Sequence, residues 1–293
     1  MKKFLLMLLV ILVIPTITYS QRYYIPFNLY THNYKLLNPS YAGVENKEEF
    51  TFNYKYHAID LGGAPKSILI SYNRSFEKLK STIGAIIFND KVGVGNYNFY
   101  GLLYNYKFSW GENSFRAGTQ LRYEKETLNY SLTDPYNIGD PFYKNDFTDN
   151  YFDMDVGFTY KVNKLTISSS VNNLIRRKPS LLNIDKPMIE SLIQRKFEIL
   201  KYLTASPSVR YSTDFTYYFI DINNSFTFLN LIQLGVTYKI YPDYDNSFNL
   251  NAGIEIIDTF HLKFILYNNS YRSMFVKNDN KIFEMMMKVI ISK

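Results

Sequence analysis

The sequence predicts an all-β chain that closes into a transmembrane antiparallel barrel of about 14 strands, with about 12 as the alternative count. Three observations carry this prediction. Apolar and polar residues alternate with period two in segment after segment, the chain opens on a leader of secretory type, and 28 Tyr and 23 Phe stand among its 293 residues. Successive side chains of a strand point to opposite faces, so alternation marks strands whose two faces meet different surroundings. An aromatic share of 18% suits strands and membrane-interface girdles. Mean hydropathy of −0.20 disfavours a bundle of membrane helices, each of which needs about 20 consecutive apolar residues.

Taken from the N-terminus, Lys2 and Lys3 precede an apolar run from Phe4 to Ile14, Pro15 breaks it, and Thr18-Tyr19-Ser20 forms a small-polar cleavage context. The run is too short to span a bilayer. The expected division is therefore a signal peptide over 1–20, a plug-like segment over 21–47 and an outer-membrane barrel over 48–293. No cysteine is present, which excludes disulfides, thiolate metal sites and lipid attachment at a new N-terminal Cys. Removing Lys2 and Lys3 from the 33 basic residues leaves a net charge of +5 against 26 acidic ones. That balance, with no basic run, gives no reason to expect nucleic acid as a partner.

The alternation begins at Phe50-Thr51-Phe52-Asn53-Tyr54-Lys55-Tyr56-His57, with aromatics on one face and Thr51, Asn53, Lys55 and His57 on the other. It recurs as Met154, Val156, Phe158 and Tyr160 against Asp155, Gly157, Thr159 and Lys161, and as Leu234, Val236 and Tyr238 against Gln233, Gly235, Thr237 and Lys239. One face suits lipid and the other a wet lumen. Strands are expected over 48–57, 66–75, 81–89, 96–108, 113–124, 151–162, 164–172, 202–212, 215–228, 231–241, 247–257, 259–269 and 282–292. This count is odd, whereas single-chain bacterial barrels are even-stranded, so one strand is missing or superfluous. From a periplasmic N-terminus, the longest connections, 125–150 and 173–201, both fall outside, and the short turns at Ser109–Asn113 and Asn163 fall inside. Within 185–201, Met188, Ile189, Leu192, Ile193, Phe197 and Leu200 follow Asp185 and Pro187 at helical spacing, which predicts a short amphipathic helix.

The search for catalytic chemistry yields none. His32, His57 and His261 are far apart and lack a second ligand at metal spacing. Ser67, Ser71 and His57 lie in neighbouring strands without a nucleophile motif. Gly93-Val94-Gly95 after Asn89-Asp90-Lys91 is hairpin chemistry, since no helix follows it, and Gly62-Gly63-Ala64-Pro65 is a turn before a strand. No catalytic, cofactor-binding or metal residue is assigned.

The order Phe27-Asn28-Leu29-Tyr30, Leu37-Asn38-Pro39-Ser40-Tyr41-Ala42-Gly43, Gly63-Ala64-Pro65-Lys66-Ser67 and Phe88-Asn89-Asp90-Lys91-Val92-Gly93 resembles the PorP/SprF family of the type IX secretion system in Bacteroidota. Asn172-Asn173-Leu174, Leu182-Asn183 and Ser206-Pro207-Ser208-Val209 extend the likeness over nearly the whole mature chain; Asn-Pro-x-Tyr-Ala-Gly is its most specific piece. Ile59-Asp60 departs from the family, which commonly has a Trp there, and the chain ends Ile290-Ile291-Ser292-Lys293 without a terminal aromatic. The resemblance implies a non-enzymatic outer-membrane protein that anchors, or assists export of, a large surface adhesin or similar cargo, including gliding-motility adhesins, by binding its C-terminal sorting domain. Other type IX secretion components and membrane lipid are the further partners implied. Asn38, Pro39, Tyr41, Gly43, Gly63, Pro65, Asn89, Asp90 and Gly93 become the candidate structural or partner-contact residues. It also places residues 21–47 in the lumen or across its periplasmic mouth. The alternative is a porin-like or fatty-acid-channel-like transporter, its solute path tuned by Lys55, Arg116, Arg122 and Lys161. A soluble secreted β-protein is the third possibility.

Overall fold

In the computed structural model the described residues are 27–57, 63–130, 146–175, 186–242, 246–257, 260–268 and 282–292. They form fourteen antiparallel strands. These are β1 Glu48–His57, β2 Lys66–Phe76, β3 Ser81–Val92, β4 Gly95–Trp110, β5 Asn113–Leu128, β6 Phe147–Val162 and β7 Leu165–Asn172. Strand β8 runs Met188–Arg195, is interrupted at Lys196, and continues as Phe197–Leu200. There follow β9 Leu203–Thr213, β10 Tyr218–Phe228, β11 Ile232–Ile240, β12 Ser247–Ile257, β13 Phe260–Asn268 and β14 Ile282–Ser292.

Each strand pairs with its neighbours in sequence, and β1 also pairs with β14 from Glu48↔Ser292 to His57↔Ile282, so the ladder returns to its start. Closure removes the unpaired edges that a membrane cannot tolerate, because the hydrocarbon core offers no water to free N–H and C=O groups. The connections sort by side. Residues 77–80, 111–112, 163–164, 201–202 and 229–231 make tight turns on one rim, while the strand ends Leu128 and Phe147, Asn172 and Met188, and Asn268 and Ile282, joined by longer stretches of sequence, lie at the other. Short turns mark the periplasmic rim of an outer-membrane barrel. Asn163 and Gly93 both adopt positive φ, 50° and 56°, the left-handed backbone that tight hairpins demand and that Asn and Gly tolerate.

The alternation resolves into two faces. On β2, Ile68, Ile70 and Tyr72 point outward, whereas Ser67, Leu69, Ser71 and Asn73 point inward and are buried. Thr51, Asn53 and Lys55 of β1 likewise face in and are buried. The inner face is thus polar without being wet, because residues 27–47 lie inside the ring. They form three short 3-10 turns, Asn28–His32, Tyr34–Leu36 and Pro39–Tyr41, and then reach β1 at the periplasmic rim.

One expectation is corrected here. Of segment 185–201, the described residues 186–201 hold a strand, β8, and no helix, which supplies the missing fourteenth strand and shortens the outward connection from 173–201 to 173–187. The reason lies in the lumen. Met188, Glu190, Leu192 and Gln194 face inward, and Leu192 packs with Tyr30, Tyr34, Leu37 and Tyr41 of the internal segment. Ile189 and Ile193 face lipid. Apolar residues on both faces erase the period-two signal, and the pairs 188/189 and 192/193, four apart, imitate a helical stripe.

Candidate functional site

An irregular segment inside a barrel has no ladder to satisfy its peptide groups, and buried N–H and C=O groups left unpaired are costly. Here the wall side chains supply the partners. On one side of the lumen, the Glu284 carboxylate accepts the Asn28 N–H at 2.9 Å and the Leu29 N–H at 2.6 Å, and Lys288 Nζ donates to His32 O at 2.6 Å. From β4, Asn105 Nδ2 donates to Pro39 O and Ala42 O at 3.1 and 3.0 Å, and from β5, Arg116 Nη2 donates to Gly43 O at 2.7 Å. Ser170 Oγ and Asn172 Nδ2 both donate to Leu37 O, and Lys161 Nζ to Val44 O.

Side chains of the segment complete the fit. Asn38 caps the Pro39–Tyr41 turn: its Oδ1 accepts from Ser40 N at 2.9 Å and Ser40 Oγ at 2.6 Å. Its Nδ2 donates to Phe158 O and Ser169 O, the carbonyls of two register partners on β6 and β7. Tyr41 donates its hydroxyl to Gln194 at 2.9 Å, and Tyr30 donates to Asp221 beneath the Arg210 guanidinium, 4.4 Å from the ring centre. Burial pushes the Tyr30, Tyr34 and Tyr41 hydroxyls above the ordinary phenol range, keeping them neutral donors. Lys35 reaches Glu49 at 2.8 Å and Asn73 at 2.7 Å; burial lowers its pKa, against which Glu49 acts.

The wall charges of the transporter alternative are engaged rather than lining an open path. Arg122, fully buried, meets Glu124 at 2.9 Å, Asp155 at 3.0 Å and Asp153 at 3.4 Å. Lys55 lies within electrostatic reach of Glu284, and Arg116 and Lys161 are turned to carbonyls of the internal segment. Among the described residues no cluster of His, Asp and Glu is arranged to hold a metal ion.

The nine candidate residues fall into two groups at opposite ends of the barrel. Asn38, Pro39, Tyr41 and Gly43 share the lumen site. Gly63, Pro65, Asn89, Asp90 and Gly93 gather at the long-loop rim, where the Gly93 N–H donates to Gly63 O at 2.9 Å and Ser67 Oγ donates to Asp90 at 2.8 Å. Asn89 sits beside them, donating to Asn96 and Asn98. The structure adds residues that sequence inspection passed over: Asn105, Glu284, and the glycines Gly118 and Gly157, which leave the recess occupied by Asn38–Ser40. Their signal was faint. A glycine on the polar face of a strand marks a close approach of other chain, but the alternation alone does not say which.

A family profile described as the type IX secretion system membrane protein PorP/SprF matches residues 20–289. No curated protein matches the chain. Among solved structures, the Acinetobacter baumannii outer membrane protein Omp33 is similar with a TM-score of 0.51 at 7% identity, covering 84% of this chain and 98% of that one. A deletion mutant of TodX, a monoaromatic hydrocarbon channel, gives a TM-score of 0.51 at 8% identity, over 90% of this chain and 93% of that one. At such identities the likeness is one of fold, an outer-membrane barrel.

Proposed function

The chain belongs to the PorP/SprF family of type IX secretion system membrane proteins and is an outer-membrane β-barrel, and from that premise we propose that it anchors, or assists export of, a large surface adhesin or similar cargo by holding the cargo's C-terminal sorting domain. The observation that carries this reading is the filled lumen. The segment 27–47 is bonded to opposite walls of the ring, through Glu284 of β14 on one side and Ser170 and Asn172 of β7, seven strands away, on the other. A fixed plug suits an anchor better than a solute channel. The contact surface in this reading is the long-loop rim that carries Gly63, Pro65, Asn89, Asp90 and Gly93, together with the outward connections 129–146 and 173–187.

The test is capture of sorting domains by the purified barrel. Candidate domains encoded beside this gene are expected to co-purify with it, and removal of the gene to strip the corresponding protein from the cell surface. An unchanged surface pattern in the deletion strain refutes the reading.

A further inference from the structure

Beside the last turn of the internal segment, the periplasmic rim opens into a cleft of about 520 Å³, bordered by Gly43–Glu45 and Lys47, by the turns 77–80 and 111–112, and by inward residues of β3 to β6. Its charge is unbalanced. Among the described residues Arg116, with 8% of its surface exposed, donates only to neutral oxygens, those of Ala42, Gly43, Thr82 and Asn105. Among the described residues Lys161 donates to Val44 O alone; Lys196, Arg116 and Lys107 lie close enough to repel it, and Glu45, itself held by Lys196, attracts it. Lys107 and Lys80 are brought to one edge by the bond from the Lys107 N–H to Lys80 O at 2.6 Å, and neither has a carboxylate in salt-bridge contact among the described residues.

Carboxylates at the cleft do not cancel this excess. Glu77 is engaged by Lys47 at 2.7 Å and Glu45 by Lys196 at 3.3 Å, leaving Glu112 against four cations. A buried guanidinium surrounded only by dipoles retains a strong preference for an anion. The cleft volume matches that of ligand sites and is far larger than a lone inorganic anion fills. It faces water and the lumen, not lipid.

We infer that this cleft binds an acidic peptide segment presented from the periplasmic side. Arg116 would sit at its inner end, Lys161 midway, and Lys80 and Lys107 at its mouth. The inference depends on the orientation of the barrel and is independent of which cargo is held at the opposite rim.

The test uses the full chain in detergent and fluorescein-labelled hexaglutamate, followed by anisotropy. Hexaglutamate is expected to bind, and a length-matched hexaglutamine to bind at least roughly tenfold more weakly, a difference of about 1.4 kcal/mol. The double substitution Lys80→Glu/Lys107→Glu, at positions whose side chains carry no ion pair among the described residues, is expected to weaken hexaglutamate by a further roughly tenfold or more in protein that retains the heat-modifiable mobility of a folded barrel. Lys164→Glu, on the same rim but outside the cleft and paired with Glu198 at 2.9 Å, is expected to leave binding unchanged. Equal binding of the two peptides overturns the inference. So does loss with Lys164→Glu matching that of the double substitution, which would reveal diffuse attraction to a basic rim. Displacement by inorganic phosphate as effective as by unlabelled hexaglutamate overturns it too, since the site would then take small anions only.

Discussion

Gly118 on β5 and Gly157 on β6 stand opposite each other in register, and the turn Asn38–Ser40 occupies the recess that their missing side chains leave. An added Cβ at 118 would lie 2.7 Å from both the backbone N and Cα of Ser40, and one at 157 would overlap Asn38 Oδ1. The match fixes where the internal segment seats against the wall, and its disruption has a definite expected result. Gly118→Ala forces backbone to move and is expected to destabilise the seated segment by about 1–3 kcal/mol, with Gly157→Ala similar because Asn38 is held by hydrogen bonds on both its amide atoms. Both proteins are expected to insert as barrels, with trypsin cutting at Lys35 in the variants and not in the parent. Equal resistance to trypsin would refute the recess.

Asn38→Asp tests the same seat by chemistry rather than volume. The shape is kept, but the amide nitrogen whose two N–H groups serve Phe158 O and Ser169 O is replaced by one carboxylate oxygen facing both carbonyls. A buried charge without a partner costs several kcal/mol, so this substitution is expected to release the segment more completely than Asn38→Ala. Hydrogen exchange of residues 34–42 would report it.

Lys35 and Glu49 form a buried pair at 2.8 Å, with Lys288 3.5 Å from the same carboxylate. Lys35→Met is expected to cost less than the 3–5 kcal/mol typical of breaking such a pair, because Lys288 and Asn46 remain beside Glu49. The double variant Lys35→Met/Glu49→Gln should recover part of that loss; denaturant midpoints in the four-membered cycle give the coupling.

Acid should loosen one tether at the periplasmic mouth. Lys196 beside Glu45 holds its carboxyl below the usual carboxylate range. A depressed carboxylate contributes stability that is fully present above its unfolded pKa and is lost as pH falls through the lower folded value. No change from this pair is therefore expected between pH 7 and about 5, with weakening only below the ordinary glutamate value of about 4.3. The effect is small, because Lys196 is half-exposed and solvent screens the pair. Glu45→Gln should flatten this part of the protease-sensitivity profile.

Deleting residues 28–42 while keeping 43–47 is expected to convert a silent barrel into a conducting one in planar bilayers. A steady open pore in the intact chain would instead favour the transporter alternative.

The alternation of Phe50 to His57, and of its counterparts along the chain, determined the strands and their two faces, and with the secretory-type leader and the aromatic load it determined the barrel, because the bilayer imposes one polarity on the outer face wherever a strand lies in the ring. Thirteen of the fourteen strands were legible for that reason, with bounds shifted by a few residues. The Asn-Pro-x-Tyr-Ala-Gly element marked the internal segment, though only as a resemblance. Tertiary structure alone decided how the lumen is filled. β8 was hidden because its inward Met188 and Leu192 meet other side chains rather than water, and Gly118, Gly157, Asn105 and Glu284 acquire meaning only from Ser40, Asn38, Pro39 and Asn28, which are distant in the chain. Lipid is the same for every strand and writes a repeating pattern, whereas each contact inside the barrel is made once, between residues that nothing in their spacing connects.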